Sequence, residues 1–181
     1  CDCCQTAVGW TREGPLVVYR NRTRSEVRDI FYTRRVAGAW STPAAVAPDN
    51  WNITGCPVNG PAVATDGEKV AVVWFTAADN KPRVRAAFSD DSGATFQAPV
   101  EIASDTSGRV DAQWTPSGNL ALTYLRNSGN QSELKLTVLD NKGEVKQDFT
   151  VATLDAGRGT GFPRLTATSN ALYVVWTAVR D

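Results

Sequence analysis

The sequence predicts an all-β fold built from a repeated four-stranded meander. Three observations predict it. Runs rich in β-branched and aromatic residues recur at 16–19, 70–75, 120–125 and 172–176. Their aromatic members, Tyr19, Trp74, Tyr124 and Trp176, follow one another at 55, 50 and 52 residues. A turn signal precedes each run: Glu13-Gly14-Pro15, Asp66-Gly67, Ser117-Gly118-Asn119 and Ser169-Asn170. Gly and Asn accept positive φ cheaply, which suits tight hairpins. No stretch shows amphipathic helical periodicity.

Taken in order, the first unit reads as strands at 6–10, 16–19, 29–33 and 42–46. The second reads as 61–65, 70–75, 84–88 and 98–103. The third reads as 110–115, 120–125, 134–139 and 149–152. Two strands of a fourth follow, at 164–168 and 172–176. The segments Trp40-Ser41-Thr42-Pro43 and Phe96-Gln97-Ala98-Pro99 lie 56 residues apart, again one period. A period near fifty suits the four-stranded blade of a β-propeller. The expectation is about three and a half blades, at 1–48, 49–104, 105–154 and 155–181. A propeller needs at least about four blades to close. The remainder of the propeller, or another chain, is therefore expected to cover the open edges, which are otherwise sticky.

Composition narrows the function. The 181 residues carry 19 Lys+Arg and 19 Asp+Glu, for a formal net charge of zero. This excludes nucleic-acid binding by bulk charge. There is no His, which removes Ser-His-Asp and Cys-His catalysis and His-ligated zinc. There is no Met, which marks a processed chain or a segment of a longer one. The longest apolar run, 70–75, is far too short to span a membrane. Four cysteines, an even number, suit an oxidising compartment, so the chain is expected to be periplasmic, cell-surface or secreted.

Between the third and fourth strands of the second unit lies Ser89-Asp90-Asp91-Ser92-Gly93-Ala94-Thr95-Phe96. Asp91 can accept backbone N–H bonds within the turn, Gly93 can supply a positive φ, Thr95 can back-bond and Phe96 can plug the space beneath. The pattern S-x-D-x-G-x-T-F resembles the Asp-box of the sialidase-like propellers, also called bacterial neuraminidase repeats. Degenerate versions fall at 33–40 and 139–143. In that family the boxes are structural and lie away from the active site. The resemblance implies removal of terminal sialic acid by three carboxylate-binding arginines, a Tyr/Glu nucleophile pair and an Asp acid/base. Arg20-Asn21-Arg22 resembles the family's loop arginine, and 29–34 its third strand leading into a box. The acid/base position departs from the pattern: 24–28 holds no Asp, and Glu26 is its only carboxylate. No Phe-Arg-Ile-Pro motif is present. Arg22, Glu26 and Asp29 are the candidate catalytic residues on this reading.

Meander topology sorts the loops. The box turn marks one end of the sheets. The second-to-third-strand loops and the sheet-to-sheet connections share the other, upper end. There Arg20, Arg22, Arg24, Arg28, Arg109 and Arg158 are candidate anion binders, because a guanidinium forks onto carboxylate or phosphate. Trp51 is a candidate stacking platform, Asn59 a candidate polar contact, and Asp29 and Asp111 candidate orienters of the arginines. The bland alternative is that these arginines are solvated or paired with nearby acids such as Glu26. Cys1, Cys3, Cys4 and Cys56 are expected to meet at this end. One reading is a disulfide from Cys56 to one of the other three; closing about fifty residues stabilises by roughly 4 kcal/mol. The other is soft-metal binding, of copper or zinc, or redox chemistry. The functional expectation is a recognition module for an anionic sugar or protein ligand. The alternatives are an exo-sialidase-type hydrolase and a metal-binding or redox protein.

Overall fold

The computed structural model describes residues 4–178. Among them, all named strands pair antiparallel. The first sheet holds β1 (Ala7–Thr11), β2 (Gly14–Arg20) and β3 (Ile30–Val36), with short β4 (Ala39–Trp40) and β5 (Ala44–Ala45) both on β3. The second runs β6 (Ala62–Asp66), β7 (Lys69–Thr76), β8 (Arg83–Ser89) and β9 (Val100–Ser104). The third runs β10 (Thr106–Trp114), β11 (Leu120–Ser128), β12 (Gln131–Leu139) and β13 (Val145–Asp155). The last pairs β14 (Arg164–Ala167) with β15 (Leu172–Val175). Among the described residues, helix is confined to two short turns, Ala78–Asn80 and Arg158–Thr160.

The first strands of successive sheets are neighbours: β1 lies against β6, β6 against β10 and β10 against β14. The sheets therefore stack face to face, each strand alternating its side chains between two neighbours. The second sheet is covered on both faces, which is why 70–74 can be an unbroken apolar run with every residue at 0% exposure.

Three expected elements differ. The fourth strand of the first sheet is split rather than continuous over 42–46. Ser41 occupies the interval: its N–H donates to the Arg34 carbonyl at 2.8 Å, and its carbonyl accepts from the Thr33 hydroxyl at 2.8 Å. Pro43 has no N–H to continue a ladder. The stretch 104–109 is not a loop, because β10 starts at Thr106. The stretch 126–132 is not a loop either, because β11 and β12 close on a tight turn at Gly129 and Asn130.

At the lower end, the 89–96 turn is organised by Asp91. Its Oδ1 accepts from the Ser89 hydroxyl (2.7 Å) and the Thr95 N–H (2.9 Å), and its Oδ2 accepts from the Thr95 hydroxyl (2.6 Å). Burial pushes its pKa up, but these hydrogen bonds outweigh it and hold the carboxyl at about 2. Gly93, at φ +78°, sits where an added Cβ would lie 2.2 Å from Leu16 Cδ1. Phe96 packs edge-on against Tyr32 with centroids 4.9 Å apart. The turn thus welds the second sheet to the first.

Candidate functional site

At the upper end, long connections fold back onto one another. The β2–β3 loop is stitched to the β5–β6 connection. The Arg28 N–H donates to the Trp51 carbonyl (2.8 Å), the Ile53 N–H to the Glu26 carbonyl (3.1 Å), and Val27 bridges Asn52. The Asp29 carboxylate accepts from the N–H groups of Asn50 (3.0 Å) and Trp51 (3.1 Å). This corrects the expectation for Trp51: the stitching turns its ring inward, at 6% exposure, edge-on to Phe75 at 5.5 Å. It is a core residue and offers no open platform.

Arg20 is also turned inward, at 3% exposure. It donates to the carbonyls of Asn59 (2.7 Å), Arg28 (2.6 Å) and Phe75 (2.7 Å), and its guanidinium lies 5.0 Å from the Trp51 ring centroid. Burial draws its pKa down to about 10, with the nearby Cys4 thiol among the groups opposing the shift. It remains a cation at neutral pH. Its fork is spent on three backbone segments, so it braces the loops and is not presented to a ligand.

Glu26 is clamped between two arginines, 2.6 Å from Arg22 and 2.6 Å from Arg28. Hydrogen bonds from Arg22 and then Arg28 lower its pKa. A carboxyl held ionised is the reverse of a general acid. Arg28 is buried and Arg24 exposed. Asp29 and Asp111 engage backbone N–H groups, and the charge of Asp29 also favours the Arg20 cation. Asp111 accepts from Ala112 (3.1 Å) and Leu165 (2.8 Å), tying the third sheet to β14, and burial raises its pKa.

The structure does bring Asn59, Arg109 and Cys56 together. They line a pocket of about 240 Å³ with Pro57, Val58, Ser107 and Phe162. Its construction begins in β10. The β10–β11 register shifts between Gly108 and Asp111, and Arg109 in that bulge has φ +56°. Such bulges re-aim a side chain. Gly108 makes the approach possible, because a Cβ there would lie 2.6 Å from Asn59 Oδ1 and 2.7 Å from Phe75 Cβ. Asn59 then fixes the floor. Its Oδ1 accepts from the Arg109 N–H (2.7 Å), and its Nδ2 donates to the carbonyls of Pro57 and Ser107, both at 3.1 Å. The Arg109 guanidinium donates to the carbonyls of Gly161 and Gly157, both at 2.8 Å, and to the Thr160 hydroxyl. It lies 5.7 Å from the Phe162 ring centroid. Arg158, whose side chain is not among those described, opens the same short helical turn.

Cys56 is disulfide-bonded, so its sulfur is not a thiolate ligand. Cys1 and Cys3 lie outside the described residues. Among the described residues, no group of three or more His, Cys, Asp or Glu side chains is placed to hold a metal ion. One element had no sequence signal. Asp49, its side chain 1% exposed, accepts from Trp74 Nε1 at 2.6 Å and pairs with Arg85. Its partners lie 25 and 36 residues away.

No family model matches the chain, and no curated protein matches it. Among solved structures, it is similar to the NanB sialidase of Streptococcus pneumoniae. In the complex of that enzyme with 2-[(3-chlorobenzyl)ammonio]ethanesulfonate, identity is 13% and the TM-score 0.51, covering 88% of this chain and 25% of that one. For a point mutant of the same sialidase the values are 13%, 0.48, 83% and 24%. The chain thus spans about a quarter of the length of these solved chains. At this identity the likeness is one of fold: an all-β, sialidase-like arrangement of four-stranded antiparallel sheets. Among the described residues, no helix is long and apolar enough to cross a membrane.

Proposed function

We propose that the chain is part of an extracytoplasmic, sialidase-like β-propeller that recognises an anionic sugar or protein ligand at its upper end. The observation that carries this reading is Arg109. A bulge with a left-handed residue sets it in the wall of a pocket beside Phe162 and Asn59, its guanidinium braced on Gly157, Thr160 and Gly161 but, unlike that of Arg20, only half-buried. A cation against an aromatic wall suits a ligand with one anionic group and one apolar face. The Cys56 disulfide supports an oxidising compartment. A hydrolase reading finds no support at Glu26, which is held ionised by two arginines.

The test is calorimetric titration with a sialylated oligosaccharide and its desialylated counterpart. The sialylated form is expected to bind. Arg109→Ala is expected to weaken binding at least about tenfold, or 1.4 kcal/mol. Equal binding of both oligosaccharides, or an unchanged affinity in the variant, would refute the assignment.

A further inference from the structure

Two neighbouring junctions of the stack differ at their outer strands. Between the first and second sheets, Val46 and Ala47 pack against Val72, Trp74 and Ala87. Asp49 follows them in, its carboxylate accepting from Trp74 Nε1 at 2.6 Å and pairing with Arg85. The chain itself fills the rim of that junction.

The same positions recur one period on, between the second and third sheets. The offset of 56 residues puts Ile102 and Ala103 where Val46 and Ala47 stand, and Asp105 where Asp49 stands. Tyr124 takes the place of Trp74, and Lys135, opposite it on β12, that of Arg85 opposite Trp74 on β8. Ile102 and Ala103 pack on the core of this junction as their counterparts do. Asp105 does not follow them in. It is the whole β9–β10 connection, stands at φ +49° and is exposed, because β10 begins at Thr106. Lys135 finds its carboxylate on Asp148 of β13 instead, at 2.8 Å. Where the first junction is filled by Asp49, the second holds a cavity of about 430 Å³. It lies between two sheets that each have four strands, and it shares no lining residue with the Arg109 pocket.

The lining joins apolar Ile102, Ala103 and Val145 to polar Tyr124, Arg126 and Asp148. Each charge at the cavity already has a partner: Arg126 lies 2.6 Å from Glu133, Asp148 2.8 Å from Lys135, and Glu101 3.9 Å from Arg83. A guest with a net charge therefore meets no free counter-charge. Hydrogen-bonding capacity remains on both sides. Glu133 occupies Nη2 of Arg126, whose side chain is 46% exposed, and the other guanidinium N–H groups can donate. Asp148 is 41% exposed and keeps lone pairs beyond those used by Thr137 and Lys135. Burial raises the Tyr124 pKa, so its phenol keeps its proton and can both donate and accept. Mixed donors and acceptors without net charge, opposite an apolar wall, match a molecule with many hydroxyls and a C–H face. We propose that this cavity between β9 and the third sheet is a second binding site, for a neutral sugar.

The experiment is a heteronuclear NMR titration of the protein with D-glucose, D-galactose and D-mannose, and with D-glucuronate and D-glucosamine as charged comparators. At least one neutral sugar is expected to shift the amides of 101–104 and 124–126 saturably. The amides of 57–59, at the Arg109 pocket, are expected to stay in place, so this site and the proposed anion site fail independently. Arg126→Gln is expected to weaken the neutral sugar at least about tenfold. Ser104→Trp, a change at an exposed lining residue, is expected to block the cavity and abolish the shifts. If amide dispersion shows that Arg126→Gln does not fold, Ser104→Trp decides in its place. No saturable shift with any neutral sugar, shifts with the charged sugars alone, or unchanged affinity in the folded variant overturns the proposal.

Discussion

The two ends of the sheets are held by opposite strategies. At the lower end, the bonds that order the turns between third and fourth strands are mostly local. Asp91 is satisfied by Ser89 and Thr95, two and four residues away. Asp140 does the same in the third sheet, accepting from the N–H groups of Lys142 (2.9 Å) and Glu144 (3.0 Å). At the upper end the ordering bonds are distant. Arg20 reaches 39 residues to Asn59 and 55 to Phe75, and Arg109 reaches 51 to Thr160. Local turns form as the chain folds, whereas the upper loops require the sheets to be stacked first. The difference separates parts that shape themselves from parts shaped by their neighbours.

The contrast can be broken most forcefully at Arg20. Arg20→Met keeps the bulk but orphans three carbonyls, and is expected to cost about 3 kcal/mol or more, read by urea denaturation. A cost near zero would mean that the upper end does not depend on its long-range brace. Gly93→Ala attacks a close contact between the lower turn and another sheet. With positive φ and a 2.2 Å approach to Leu16, it is expected to cost about 2 kcal/mol. Thermal denaturation checks it, and a neutral result would mean that the turn does not touch its neighbour closely.

The smallest effect is a dependence on pH. The Asp91 pKa is about 2 in the fold, against an ordinary value of 3.8. A depressed carboxylate contributes stability above its unfolded pKa and loses it as pH falls through the folded one. Stability is therefore expected to decline between about pH 4 and pH 2. Asp91→Asn is expected to shallow that decline without abolishing it, since Asp140 is also held at about 2, chiefly by Lys146. Denaturation midpoints across that range measure it, and identical slopes in both proteins would remove Asp91 from the account.

This division also explains what the sequence discloses. The strand runs and the 89–96 turn were legible because their causes lie within a few residues: alternation, a turn pair, a carboxylate near its donors. Trp51 was not, since an aromatic in a connection reads as exposed until the return path of that connection is known. Asp49 was not, because nothing near it announces Trp74 and Arg85. Arg109 was legible as a cation at the upper end. Its aim was not, because a bulge depends on the partner strand.

Asn59 has one more consequence. Its carbonyl accepts from Arg20 of the first sheet, while its side chain holds Ser107 and Arg109 of the third. A single residue of the second sheet's entry segment thus fixes the floor of the pocket from both sides. On the proposed reading, a ligand entering there would find the polar groups already in place. Its binding would then lose little ordering entropy, and the main cost would be stripping water from its own anion.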